Sequence, residues 1–387
     1  MAEAYILGAV RTPIGRRGGS LSTTRPDTLA ADCLKGLMAR TGVAPGQVED
    51  VVMGCVTQIG EQGANIGRMA TLVAGFPVTT TGTTVNRMCA SSLQAVNYAA
   101  QGVMSGMQDL VIGAGVESMS RVQMGSDLGA LHEGLTDRFD IIPQGLSAEL
   151  IAERWGITRA DLDAFSAESH RRALEAIAEG RFEAEIVPLD VKAPDGTDVH
   201  FTTDEGPRPG STAEKLGRLR PAFKDDGVIT AASSSQISDG ASALLIGSAR
   251  KAAELGLKPR ARFASMAVAG VDPTIMLTGP IPATQKALEK AGLTLDDIGL
   301  FEVNEAFASV VLAWARELSP EDPDKLLART NVNGGACALG HPLGCSGARL
   351  LTTLLHEMER RDVRYGLATL CIGFGMAVAT IIDRNVG

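Results

Sequence analysis

Residues 85–96 read V-N-R-M-C-A-S-S-L-Q-A-V, and a single cysteine, Cys89, stands at a seam in that stretch. Before it, Gly82–Val85 is β-branched and strand-like. After it, Ser91–Ala100 is small and apolar, with Leu93, Val96 and Ala100 at helical spacing. The pattern predicts Cys89 at or near a helix N-terminus, where backbone N–H groups favour thiolate over thiol. An ordinary buried cysteine fits the same residues. The choice between a structural and a reactive thiol has to come from other parts of the chain.

At 387 residues the chain has room for about two or three domains. Hydrophobic residues make up 45% and charged residues 21%, a globular composition; aromatics at 4% against 44 glycines point to tight packing of helix on sheet. The net charge of −9 argues against a nucleic-acid partner. Cys33, Cys55, Cys89, Cys337, Cys345 and Cys371 form no C-x-x-C pair, and the apolar run Tyr5–Val10 is too short for a signal peptide. No apolar run reaches the ~18–20 residues that span a bilayer. A cytoplasmic protein with reduced thiols and no membrane span is expected.

Taken in order, the chain predicts strands at Ala4–Ala9, Val51–Val56 and Asp109–Gly113, with helices at Asp27–Arg40 and Asn65–Gly75 between them. That alternation implies a mostly parallel sheet with helical faces. From Arg121 to about Gly227 apolar strands thin out and charge density rises. Helices are expected at Ile151–Phe165 and Glu168–Gly180, a turn at Pro194-Asp195-Gly196, and structure resumes at Val228–Thr230 and Ser242–Ile246. This segment reads as an inserted cap. The last third repeats the first: strands at Arg262–Val268, Leu300–Val303, Gly366–Cys371 and Ala377–Ile382, helices at Pro282–Ala291 and Ala306–Leu318, and a helix within Ala338–Met358. An internal duplication of an α/β unit follows, and paired α/β halves place strand and helix ends near a shared centre.

Two later stretches favour a reactive Cys89. Asn331–Ala348, N-V-N-G-G-A-C-A-L-G-H-P-L-G-C-S-G-A, surrounds His341 with glycines, as a loop does when its backbone must approach a ligand. Cys337, His341 and Cys345 have the spacing of a metal face on a helix, but Gly340 and Pro342 break any such helix and a fourth ligand is missing, so no metal is expected. Leu370–Met376, L-C-I-G-F-G-M, ends a strand at Cys371 and turns at Gly373 and Gly375. In Phe301–Phe307, F-E-V-N-E-A-F, the polar pair Asn304-Glu305 follows a strand, where Asn304 would equally serve as a helix cap.

Together N-R-M-C-A-S-S-L-Q-A, G-A-G-V-E-S-M-S, N-E-A-F, N-G-G-A-C-A-L-G-H-P-L-G-C-S-G-A-R and C-I-G-F-G-M resemble the signature blocks of the thiolase family, in order and from end to end of the chain. The resemblance implies an α/β fold of two similar halves in five layers, αβαβα, with an inserted loop domain. The corresponding division is 1–118 plus 238–257 for the N-terminal half, 119–237 for the inserted CoA-binding domain, and 258–387 for the C-terminal half. It implies a CoA-dependent acyltransferase working by (retro-)Claisen chemistry: 3-ketoacyl-CoA and CoA give acyl-CoA and acetyl-CoA through an acyl-Cys89 intermediate. By motif match Cys89 is the nucleophile, His341 its base, and Cys371 the acid/base at the α-carbon. Asn304 would hold a water beside His341 in one oxyanion hole, and the N–H groups of Cys89 and Gly373 would form the other. Ser235, Met276, Ala306 and Phe307 match the pantetheine and acyl slot, and Arg218 and Arg220 are candidates for the CoA phosphates. Coenzyme A is then a substrate, no resident cofactor is expected, and the partners are acyl-CoA, CoA and further copies of the chain in a homodimer or homotetramer.

Three departures bear on specificity. Phe374 stands where the family carries a further glycine, Pro143-Gln144 replaces a His-Met pair before Gly145–Glu149, and Gln236 occupies a position of glycine or proline. They favour a degradative 3-ketoacyl-CoA thiolase over the alternative, a biosynthetic acetoacetyl-CoA thiolase. Rival readings are a β-ketoacyl synthase and, from another class, a non-catalytic acyl-CoA or lipid carrier; the intact set Cys89, His341 and Cys371 argues against both.

Overall fold

The computed structural model describes residues 3–386. The first half runs β1 (Tyr5–Arg11), β2 (Gly15–Arg16), α1 (Pro26–Thr41), β3 (Asp50–Gly54), α2 (Ile66–Val73), β4 (Thr81–Val85), α3 (Ser91–Met104) and β5 (Leu110–Ser118). Next come α4 (Glu133–Thr136), α5 (Gln144–Arg154), α6 (Arg159–Ala178), β6 (Leu189–Lys192), β7 (Asp198–Phe201) and α7 (Ala213–Leu216). The chain returns through β8 (Ser238–Gly247) and α8 (Ala249–Glu254). The last third is β9 (Ala261–Gly270), α9 (Pro280–Ala291), β10 (Leu300–Val303), α10 (Ala308–Leu318), α11 (Pro323–Leu327), α12 (Ala336–Leu339), α13 (Leu343–Arg360), β11 (Tyr365–Ile372) and β12 (Met376–Asp383).

The large sheet runs β4-β3-β5-β8-β1 and then β9-β12-β11-β10, and only Tyr5–Arg262 and Ile6–Ala261 join β1 to β9. The order is palindromic about that seam. A parallel bridge from Phe301 to Thr330 supplies the counterpart of β4 at the far edge. The duplication read from the sequence is therefore in the topology: β1-α1-β3-α2-β4-α3-β5-β8 is repeated as β9-α9-β10-α10-bridge-α13-β11-β12. Residues 119–237 add no strand to this sheet; β6 and β7 pair only with each other.

The expected parallel sheet is corrected to a mixed one. Only β3-β4, β3-β5 and β10-β11 run parallel. The reason lies in the connections: β11 reaches β12 by a three-residue hairpin and β5 reaches β8 through the insertion, so neither passes through a crossover helix. The helices expected at Ile151–Phe165 and Glu168–Gly180 also shift. Gly156 takes φ +60°, and Thr158 restarts the helix with a capping box to Asp161, dividing the segment into α5 and α6. Val228–Thr230 forms no strand beyond a bridge from Thr230 to Pro221.

Apolar contacts define the layers. Leu29, Leu34 and Leu37 of α1 pack on Leu7, Ile112 and Leu245. On the other face of the same strands, Leu93 and Val96 of α3 meet Leu351 and Leu354 of α13, which also cover Ala368 and Val378. The outer face of the second half buries Ala287 and Trp314 against Phe301, Leu367 and Ile381. Adjacent residues such as Leu244 and Leu245 serve opposite faces, as strand alternation requires.

The central pair α3 and α13 approach closely because small residues face each other. A Cβ on Gly347 would stand 2.4 Å from the Leu93 backbone nitrogen. Across the same layer the Ala348 N–H donates to Ser92 Oγ at 2.9 Å. Gly347→Ala is expected to push the helices apart and destabilise the fold by roughly 1–3 kcal/mol, the usual effect of an overpacked core. Urea denaturation reads this directly; a midpoint equal to that of the parent would mean the helices have room that the geometry denies.

Candidate active site

Cys89 sits in a single 3-10 turn, Met88–Ala90, between β4 and α3. Asn86 braces the turn, donating to the Val56 carbonyl at 2.9 Å and accepting from the Met88 N–H at 2.8 Å. Ser91 Oγ accepts from the Arg87 N–H and donates to the Met88 carbonyl. These bonds hold Met88 at φ +45°, a left-handed conformation that costs a non-glycine residue roughly 1–2 kcal/mol.

Cys89 is 4% exposed and packs on Val56, Met119 and Leu343. Burial pushes its thiol up to about 11, although the N–H groups of Gly373 and of Cys89 itself pull the other way. The sequence expectation of a pre-formed thiolate is corrected: desolvation by apolar neighbours outweighs the donors. Those two N–H groups nonetheless converge on the sulfur. Gly373 opens the β11–β12 hairpin, where Phe374 at φ +61° and Gly375 at φ +78° make the tight return.

Cys371 lies near the end of β11, fully buried. Burial first and the neighbouring Cys89 second push its thiol well above its ordinary value. It shares an apolar cluster with Met276, Ala306 and Phe307.

His341 follows Gly340, which takes φ +97°, and precedes Pro342. Its Nδ1 lies 2.5 Å from Ser346 Oγ and its Nε2 3.2 Å from Asn304 Nδ2. Burial, with Arg349 adding to it, lowers its pKa to about 3, so the imidazole is neutral. Ser346 also reaches the Pro342 carbonyl at 2.9 Å. When Ser346 donates to that carbonyl, Nδ1 carries the proton and Nε2 offers a lone pair. When Ser346 turns to Nδ1, Nε2 carries the proton and becomes a donor. One residue can thus act as base or as oxyanion donor. Asn304 is buried with Oδ1 unpartnered, a vacant acceptor beside the imidazole.

Sequence reasoning missed the groups that hold His341. Ser346 is one; its signal was a hydroxyl five residues after the histidine in the same Gly-rich run. Gln236 is another, noted only as a departure. Its amide nitrogen lies within 3.0 Å of the carbonyls of Gly206, Cys337 and Ala338, and its own carbonyl accepts from the His341 N–H at 3.0 Å. Glu117 is the third: its buried carboxylate accepts from the N–H groups of Val56, Thr57 and Gly344, tying the ends of β3 and β5 to the start of α13.

Cys89, Gly373 and Met276 open onto a cavity of ≈ 390 Å³, whose other walls include Met88, Phe374, Leu343 and, from the insertion, Met124, Leu128, Ile142, Pro143 and Gln144. His341, Asn304 and Cys371 do not line it. Ser235, Ala306 and Phe307 do not line it either; the Ser235 N–H donates to the Ala306 carbonyl and Ser234 bridges Phe307. Arg218 and Arg220 are exposed and line none of this cavity; Arg218 pairs with Glu214 at 2.5 Å. No group of three or more His, Cys, Asp or Glu among the described residues has the geometry of a metal site.

The model of the thiolase N-terminal domain matches residues 4–250 and that of the C-terminal domain matches residues 257–384. This chain belongs to the thiolase family. It is 45% identical, over 99% of its length and all of the relative's, to a 3-ketoacyl-CoA thiolase of Bacillus subtilis. It is 47% identical, with the same coverage, to a 3-ketoacyl-CoA thiolase of Idiomarina loihiensis. A steroid 3-ketoacyl-CoA thiolase of Mycobacterium tuberculosis is 45% identical over 99% of this chain and 95% of its own. Among solved structures, a Bacillus anthracis acetyl-CoA acetyltransferase superposes with a TM-score of 0.90 at 41% identity over 99% of both chains. The enzyme is thus an acyltransferase of the thiolase fold, which sets aside the synthase and carrier readings. No helix among the described residues is long and apolar enough to cross a membrane.

The protonation of the site yields a prediction. With Cys89 raised to about 11 and His341 lowered to about 3, both are neutral at rest. Alkylation of Cys89 by iodoacetamide should therefore accelerate about tenfold per pH unit across the neutral and alkaline range, levelling only near the raised thiol pKa. A plateau already reached at neutral pH would instead reveal a thiolate–imidazolium pair.

Proposed function

We propose that the enzyme is a degradative 3-ketoacyl-CoA thiolase in which Cys89 carries the acyl group. The observation that carries this reading is the convergence of two backbone N–H groups, from Cys89 and Gly373, on a buried thiol with a second thiol, Cys371, beside it. The Cys89 proton passes to His341 Nε2 as the sulfur attacks C3 of the 3-ketoacyl-CoA. The C2–C3 bond then breaks, and the departing acetyl-CoA enolate takes its proton from Cys371. Incoming CoA gives its thiol proton to the Cys371 thiolate and attacks acyl-Cys89. The Cys89 sulfur leaves as thiolate and recovers its proton from His341. Asn304, with its free Oδ1, holds a water that joins His341 in stabilising one oxyanion; the two N–H groups stabilise the other.

Ser235, Met276, Ala306 and Phe307 form the pantetheine and acyl slot, and the inserted 119–237 segment with Arg218 and Arg220 covers the CoA. The cavity on Cys89 is walled mainly by apolar side chains, which supports acyl chains longer than that of acetoacetyl-CoA. The names of the curated relatives agree. The second reading, acetoacetyl-CoA thiolase in the biosynthetic direction, is favoured by the Bacillus anthracis neighbour. The enzyme needs no resident cofactor and works in the cytoplasm, where its six unpaired thiols remain reduced. It assembles as a homodimer or homotetramer: β4 ends the sheet with no strand on its outer side, beside exposed Met69, Leu72 and Val73 of α2.

Steady-state thiolysis at fixed CoA separates the two readings. Higher kcat/KM for longer 3-ketoacyl-CoA than for acetoacetyl-CoA is expected; the reverse order would return the enzyme to the biosynthetic class. Cys371→Ala should still acquire an acetyl group on Cys89 from acetyl-CoA while its thiolysis falls by about 10²–10⁴-fold, the usual contribution of a general acid. Loss of acylation in that variant, seen by intact mass, would remove Cys371 from its assigned role.

A further inference from the structure

Phe374 is a bulky aromatic at φ +61°, in a turn whose next residue, Gly375, shares the left-handed region at φ +78°. Such a backbone suits glycine and is a genuine outlier for a large side chain. Phe374 is half-buried and joins none of the buried apolar clusters. It does line the cavity that opens on Cys89. The turn that carries it lies close to Met88 and Gln144. A Cβ on Gly373 would stand 3.1 Å from Met88 Sδ and 3.2 Å from Gln144 Nε2. Met88, at φ +45° one residue before Cys89, lines the same cavity. Two residues with left-handed backbones and long side chains therefore share the cavity wall with the reacting thiol.

We propose that Phe374 is a specificity-determining residue. Its ring forms the cavity wall next to Cys89 and limits the bulk of the acyl group close to the reacting carbonyl, so that slender straight chains are accepted over chains branched at C4. The inference rests on the 3-ketoacyl-CoA thiolase reading and adds the shape of the substrate to it. Left-handed strain is the structural cost of placing a ring where the hairpin would prefer glycine.

The test compares thiolysis of a straight-chain 3-ketoacyl-CoA with that of its 4-methyl-branched counterpart, in the parent enzyme, Phe374→Gly and Phe374→Leu. Glycine suits the turn, so the hairpin is kept, and leucine retains part of the bulk. The parent should prefer the straight chain, and Phe374→Gly should reduce that kcat/KM ratio by about tenfold or more, with Phe374→Leu between the two. A ratio within about twofold of the parent's in Phe374→Gly overturns the inference, and so does a parallel loss on both substrates, which leaves the ratio unchanged. If the parent cleaves neither substrate, the 3-ketoacyl-CoA reading fails first; if it cleaves them and the ratio does not move, Phe374 alone is mis-assigned.

Discussion

The site depends on how closely two buried helices can pass. α3 and α13 fill the middle layer between the two halves, and each begins where a functional loop ends: Cys89 two residues before α3, His341 two residues before α13. Their separation is set by missing side chains. Gly347 faces the Leu93 backbone, and a Cβ on Gly115 would stand 2.1 Å from the Gly344 carbonyl. Glu117 then fixes the register by taking the Gly344 N–H together with those of Val56 and Thr57. A wider layer would separate the thiol from the imidazole without altering either residue. The abundance of glycine and the scarcity of aromatics are the compositional trace of this constraint.

Burial keeps the site neutral until substrate arrives. Cys89 and Cys371 are pushed up, His341 is pushed down, and the donors aimed at Cys89 are too few to reverse its desolvation. In the proposed reaction, charge therefore develops only along the path, where the N–H pair and the imidazole stand ready for it. Around His341 hydrogen bonds hold the ring and its loop: Ser346 on one nitrogen, Asn304 on the other, and Gln236 on the loop itself.

Much of this was legible in the sequence. The strand–Cys89–helix seam, the hairpin at Gly373 and Gly375, and the repeat of the first third in the last are local patterns, and local patterns survive folding. The layered α/β fold followed from the signature blocks. The parallel sheet did not hold, because strand direction depends on connections: the three-residue turn at 373–375 is too short for a crossover and forces β12 antiparallel to β11, while the long 119–237 segment does not announce that β8 returns antiparallel to β5. The thiolate expectation did not hold either, because helix position is local while desolvation by Val56, Met119 and Leu343 comes from three distant segments. Gln236 was visible only as an odd residue; its three carbonyl partners come from Gly206 and from the α12 region, far apart in sequence. Arg218 and Arg220, candidates for the CoA phosphates, lie on the surface, outside the cavity.

The duplicated scaffold explains why the chemistry is not duplicated. Equivalent places in the two halves carry different groups. The loop before the central helix holds a thiol in one half and an imidazole in the other. The link between the last two strands differs even more. In the first half, β5 reaches β8 through 119 residues, 119–237, which supply the wall of Met124, Leu128, Ile142 and Pro143. In the second half, β11 reaches β12 through Gly373, Phe374 and Gly375 alone. Both links meet at the cavity on Cys89: the long one supplies much of its apolar wall, while the short one, with its left-handed backbone, brings Gly373 and Phe374 to that wall. A flexible link at 373–375 would lose the N–H geometry, and a short link at 119–237 would leave the thiol open to water. The division of labour between recognition and catalysis is thus a consequence of unequal connections on a nearly symmetric frame.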